Sequence, residues 1–248
     1  MHRSLRFLFS ATSLLCLGSV VLSVASADSS PAPAPAAPAA AAGTGRITAA
    51  PTLPEGVFAH WHSGKTMRKN DELNVIDVVG ENHFSAWGSW FSVAKDGGFY
   101  FDGTQAEGVR VPKKQPVGNR FSLGVDICPD AQGTEHQTIA YLYRFCELRY
   151  RLSRQELSLN VWQTSMDDGA KEIIATATLP VPAGRWSRVQ VRIEDKVAHL
   201  VVGDEKAEVK LQGTWEFLPE SVVLLVGKGG SDRAYRGFLD HLHLALTP

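Results

Sequence analysis

The chain has 248 residues, with 25 Lys and Arg against 26 Asp and Glu and a formal net charge of −1. That near balance gives no electrostatic case for nucleic acid or an anionic membrane surface as a partner.

The chain opens on a targeting signal. Arg3 and Arg6 precede a mostly apolar stretch over 5–24, and Ala25-Ser26-Ala27 forms a small-residue cleavage site. Residues 1–27 read as a signal peptide, which places the protein outside the cytoplasm: secreted, periplasmic or in the cell envelope. Ser10, Thr12, Ser13, Ser19 and Ser23 interrupt the apolar run and disfavour an uncleaved anchor, so no transmembrane span is expected after cleavage. Leu14 and Leu15, just ahead of Cys16, are too bulky for a typical lipoprotein signal.

Residues 28–53 read as a Pro/Ala-rich linker, with Pro31-Ala32-Pro33-Ala34-Pro35 near its start. It lacks apolar bulk to bury, so a disordered, extended spacer is expected. Residues 54–248 suit one β-sandwich domain.

Within that domain, short alternating runs recur at 57–61, 99–101, 109–111, 121–127, 138–145, 148–152, 157–162, 173–179, 186–193, 197–202, 207–211, 222–226 and 238–246. Turn chemistry separates many of them, as at Lys95-Asp96-Gly97-Gly98, Asp102-Gly103 and Gly203-Asp204. Period-two runs with frequent turns, and no sustained helical period, predict an all-β, two-sheet antiparallel sandwich.

Without the leader the cysteines are Cys128 and Cys146, an even pair that invites a disulfide in an oxidising compartment. Side-chain parity points Cys128 outward and Cys146 inward, which opposes a bridge. Pro129 ends the first strand at once and breaks that parity argument, so both states stay open.

The order of the runs resembles a family. Val57-Phe58-Ala59-His60-Trp61 comes first. Phe101-Asp102-Gly103 then leads to Val109-Arg110-Val111-Pro112, and Phe121 to Pro129 follows. Trp186 to Val202, Leu224 to Gly227 and Arg236 to Leu244 complete the series. It is similar to the laminin-G-like jelly rolls of the concanavalin A-like lectin and glucanase superfamily. The resemblance implies two packed sheets with jelly-roll connections. Two places depart from the family pattern. Gly124-Val125-Asp126 stands where members often carry an aromatic, and His62-Ser63-Gly64 where many have an acidic residue.

Three groups of residues are candidates for chemistry. Asp240 shares parity with Phe238, Leu242 and Leu244, so alternation places a carboxylate on the core face, where it needs partners. The resemblance implies a possible structural calcium there. The alternative is a carboxylate that accepts backbone N–H groups. His60 with His62, and His241 with His243, are two-apart pairs that each share a strand face. If the first and last strands are neighbours, four imidazoles meet, which would suit zinc. The third candidate is a binding face expected from Arg149, Arg151, Asn160, Trp162, Arg188 and Arg192, an aromatic plate among arginines and amides.

Enzyme signatures are missing from the chain. No E-x-D-x-x-E strand of a retaining glycosidase appears, and Glu135-His136-Gln137 is not the Q-x-H of sandwich-fold lyases. No G-x-S-x-G, H-E-x-x-H or Walker A string appears. The expected function is a non-catalytic extracellular module binding carbohydrate or protein. The alternatives are a polysaccharide-active hydrolase or lyase of the same fold, or a structural envelope protein without a small ligand.

Overall fold

The alternation over 186–202 folds as a hairpin. β12 (Ser187–Glu194) and β13 (Val197–Val202) pair antiparallel, with Val189 opposite Val202 and Ile193 opposite Ala198. Asp195 and Lys196 turn the chain with φ of 48° and 64°, the left-handed pair that a two-residue hairpin loop requires. Val189, Val191 and Ile193 are buried, while Gln190 and Arg192 are exposed.

The computed structural model describes residues 45–248, apart from 70–71, 87–90, 96, 105–106, 111–118, 144, 163–172, 214–222 and 229–232. The expected signal peptide, and the expected linker up to residue 44, lie outside the described residues. Every regular element among the described residues is a strand, and the strands form two antiparallel sheets.

The ten-stranded sheet runs β14 (Glu205–Lys210), β13, β12, β7 (Arg120–Pro129), β16 (Arg236–Thr247), β1 (Val57–Lys69), β2 (Glu72–Asp77), β3 (Phe84–Ala86). β5 (Phe99–Asp102) adds to β16, and β4 (Phe91–Val93) adds to β5. The six-stranded sheet runs β11 (Ile173–Pro180), β10 (Glu156–Trp162), β9 (Cys146–Arg151), β8 (His136–Leu142), β15 (Val223–Val226), β6 (Glu107–Arg110). Between them lies one core that includes Trp61, Phe99, Phe101, Phe121, Phe145, Tyr150 and Tyr235. This is the sandwich that the alternation predicted.

Two features were not expected from the sequence. β1 continues past Trp61 to Lys69, through residues with no apolar alternation, because β2 pairs with it after a register shift between Trp61 and Thr66. β3 and β4 are three residues each, too short for a period to register.

Chain termini often meet in jelly rolls, and here the first strand lies against the last. His60 stands opposite His243, and Trp61 opposite Leu242. On its other side β16 pairs with β7, with a register shift between Asp240 and His243. His241 takes φ 50° at that bulge. A bulge inserts one extra residue and so reverses which residues face outward. Before it, Leu239 joins the core opposite Ile127; after it, Leu242, Leu244 and Leu246 do. That reversal puts Asp240 on the outer face of this sheet, the same face as His243 beyond the bulge.

Candidate functional site

Bulge and pairing together collect the four histidines. The ring centroids of His60 and His62 are 5.4 Å apart, those of His60 and His241 5.6 Å, and those of His62 and His241 5.4 Å. His243 meets His60 edge-on at 6.0 Å. Nδ1 of His241 lies 3.4 Å from Nε2 of His60, so one ring donates and the other accepts. His243 Nδ1 lies 3.1 Å from the His241 carbonyl, to which it donates. As the side chains stand, no three His, Cys, Asp or Glu side chains form a group able to hold a metal among the described residues.

Gly124 makes room for this arrangement. It stands opposite His243, and a methyl group there would sit 2.2 Å from His243 Cε1. Any larger side chain at this point would displace the imidazole. Burial, and after it His243, His241 and His62, push the His60 pKa down to about 4. Burial also lowers His62, with His241 next, and burial lowers His243. These rings are therefore neutral at pH 7.

The structure moves Asp240 to the outer face, correcting the alternation argument. It stands opposite Asp126, whose carboxylate is paired with Arg188, because the bulge comes after it. Yet only 1% of Asp240 is exposed. Oδ1 accepts the N–H of Ser63 at 2.8 Å and that of His241 at 2.9 Å. Oδ2 accepts the Ser63 hydroxyl at 3.0 Å and pairs with the Arg46 guanidinium. Both oxygens are thus taken, in the arrangement given as the alternative to a calcium ligand: a carboxylate that accepts backbone N–H groups. Burial pushes the Asp240 pKa up, but the donors of Ser63 and His241 outweigh it and hold it below the usual value.

Arg46 belongs to the stretch expected to be a free linker. Instead, residues near it reach the sheet: Arg46 binds Asp240, and the Ala49 carbonyl accepts Arg188 Nη2 at 2.7 Å. Nothing in the composition of 28–53 marks that contact. Asp77 was missed as well. Buried beside β1, it accepts the His60 N–H at 2.9 Å and the Val79 N–H at 3.0 Å.

The expected six-residue binding face splits in two. Arg149, Arg151, Asn160 and Trp162 lie on the six-stranded sheet, whereas Arg188 and Arg192 lie on the ten-stranded one. Arg188 is occupied by Asp126, with contacts of 2.8 Å to each carboxylate oxygen. Arg192 is exposed, 3.5 Å from Glu194. Alternation reports side-chain direction relative to the core, but not which sheet the strand joins.

On the six-stranded sheet a polar cluster remains. Its centre is Glu147, which has no exposed surface and which sequence reasoning passed over. Glu147 accepts the Thr138 hydroxyl at 2.6 Å and Arg149 Nη2 at 2.5 Å, with Arg233 Nη1 at 3.5 Å. Asn160 stands opposite Glu147 and accepts the Thr176 hydroxyl at 3.0 Å. Arg149 Nε and Trp162 Nε1 are buried without a hydrogen-bond partner. Arg151 lies towards the rim, 3.1 Å from Glu135.

Cys128 and Cys146 are free, buried thiols in different sheets. Facing sheets pack about 10 Å apart, whereas bridged Cα atoms stand about 4.4–6.8 Å apart; Phe145 and Tyr150 help hold that separation. Burial, and then Asp130, raises the Cys128 thiol to about 11; burial, and then Glu147, raises Cys146 to about 12. The native chain lacking residues 1–27 is expected to resist a thiol-specific reagent, and two thiols are expected to react in denaturant without reductant. Silence after denaturation would mean that they are bridged.

No helix among the described residues is long and apolar enough to cross a membrane. No family model matches the chain, and no curated protein matches it. Solved structures do share its fold. A mutant of HCR/D superimposes with a TM-score of 0.56 at 10% identity, covering 77% of this chain and 48% of that one. The sialidase of Trypanosoma rangeli with the inhibitor DANA gives 0.55 at 13%, covering 79% and 31%. Domain 4 of AbnA, an extracellular GH43 arabinanase from Geobacillus stearothermophilus, in complex with arabinotriose, gives 0.50 at 14%, covering 78% and 95%. The chain thus spans about half of the first and a third of the second. At such identities the likeness is one of fold, and the fold is the two-sheet antiparallel jelly roll that the resemblance to laminin-G-like domains implied.

Proposed function

We propose that the chain is a secreted or cell-envelope binding module, without catalytic activity, whose ligand is a carbohydrate or an extracellular protein. The observation that carries this reading is the cluster on the six-stranded sheet. It combines an indole, a guanidinium, an amide and a buried carboxylate, and two of its donors, Arg149 Nε and Trp162 Nε1, have no partner. The Arg149 and Trp162 side chains are only partly buried, so the guanidinium and the indole each present some surface to solvent. Sugar hydroxyls supply oxygens for a guanidinium, and sugar rings supply the flat apolar face that stacks on indole. The arabinanase domain supports the carbohydrate version, since it has nearly the length of this fold and is a complex with a trisaccharide. The leader over 1–27 supports the location. The carboxylate of Glu147 is held by Arg149 and Thr138, which suits anchoring better than proton transfer.

A glycan array probed with the chain lacking residues 1–27 is expected to give a defined set of positives that Trp162→Ala loses. A clean array, together with no retained extracellular protein, would overturn the binding reading in favour of a purely structural role. Incubation with a polysaccharide panel is expected to release neither new reducing ends nor unsaturated sugars; release of either would make the protein an enzyme.

A further inference from the structure

The three rings of His60, His62 and His241 form a nearly equilateral triangle with sides of 5.4, 5.4 and 5.6 Å between centroids. We propose that this triangle holds one divalent transition-metal ion of the zinc or copper(II) kind on the outer face of the ten-stranded sheet.

Size is the first argument. Zinc–imidazole bonds of about 2.0–2.1 Å put the centroids of tetrahedrally disposed rings roughly 5 Å apart and their ligating nitrogens about 3.3 Å apart. Here the centroids stand at 5.4–5.6 Å, and His60 Nε2 is 3.4 Å from His241 Nδ1. One edge of the coordination polyhedron is thus already in place. His62 must supply the third nitrogen. It is the most loosely held of the three, only partly buried, with its Nδ1 accepting a 3.2 Å bond from the Gly64 N–H. The outer torsion of a histidine is broad and roughly two-fold, so turning that ring exchanges carbon and nitrogen edges at small cost.

Backbone construction is the second argument. Bringing His241 beside His60 takes a bulge in the central strand β16 and a left-handed φ of 50° at a residue other than glycine. Such strain persists where surrounding structure over-determines it, and it clusters at ligand sites. His243 is the floor of the site and not a ligand. Its Nδ1 is committed to the His241 carbonyl, and its opposite edge lies against Gly124. That carbonyl contact ties the backbone of one ligand to its neighbour.

Ligand supply is the third argument. The nearby carboxylates are already committed, Asp240 to the N–H groups of Ser63 and His241 and to Arg46, and Asp77 to the N–H groups of His60 and Val79, so the imidazoles themselves must supply the ligands.

Zinc titrated calorimetrically into the chain lacking residues 1–27 is expected to bind one ion per chain. His62→Ala is the decisive variant, because that ring contributes least to packing; it is expected to weaken binding at least about tenfold. His199→Ala, on an exposed hairpin, is expected to leave affinity unchanged. Copper(II) in the same site should show hyperfine coupling to three nitrogens, which His62→Ala reduces to two. Unaltered zinc affinity in His62→Ala, binding that tracks His199, or no binding at all would overturn the proposal. None of these outcomes bears on the six-stranded face.

Discussion

Asp240→Ala is expected to destabilise the fold by about 3–5 kcal/mol, the usual cost of breaking a buried charged network by removing one member. Three donors inside the protein lose their acceptor: the N–H groups of Ser63 and His241, and the Ser63 hydroxyl. That hydroxyl also accepts the Gly98 N–H at 2.8 Å, so the damage spreads to the loop ahead of β5. The Arg46 side chain is about a third exposed and can turn to water, so it adds little to the cost. Asp240→Asn keeps one oxygen for the backbone donors and is expected to lose about half as much. Urea denaturation measures both, as a lowered midpoint at constant m-value. A loss below about 1 kcal/mol for the alanine variant would mean that water replaces the carboxylate. The linkage has a definite sign. The folded pKa lies below the ordinary 3.8, so this stabilisation is complete above that pH and is lost as pH falls through the folded value.

How far these residues could be read in advance depends on whether the signal was local. Val189, Val191 and Ile193, and the Asp195–Lys196 turn between their strand and the next, were legible because alternation and turn chemistry lie within a few residues. The meeting of His60 and His62 with His241 and His243 was legible for a different reason: first and last strands are often neighbours in this architecture, and two-apart residues share a face. Asp240 was misplaced by one residue's worth of information. A period of two gives the wrong face to side chains on the far side of a bulge; counting back from Leu242 and Leu244 therefore put Asp240 in the core, and nothing in Leu239-Asp240-His241 marks the bulge. Arg149 and Arg188 went to different sheets because strand partners are chosen by contacts far along the chain. Gly124 was noticed as a departure from the family pattern, but its meaning needed the imidazole that fills the space.

Glu147→Ala is expected to be the most damaging change on the other sheet, at about 3–5 kcal/mol. The side chain is fully buried on an outer sheet face, and it supplies a negative charge to Arg149 and Arg233 there. Removing it leaves the Thr138 hydroxyl, which is itself buried, and a guanidinium whose Nε already lacks a partner. Glu147→Gln preserves the shape and is expected to cost about 1–3 kcal/mol, since an amide oxygen still accepts from Thr138 while the charge pair is lost. A double-mutant cycle with Arg149→Met separates the pair from its surroundings. Coupling above about 1 kcal/mol is expected for so short a contact, and coupling near zero would reduce Glu147 to a hydroxyl acceptor. The same variants divide structure from recognition. If the cluster takes a ligand through Arg149 and Trp162, Glu147→Gln should remain folded at room temperature yet bind the array's positives with altered affinity, because the guanidinium is no longer held in place. If affinity is unchanged while stability falls, the carboxylate serves the fold, and the ligand must be sought on Trp162 alone.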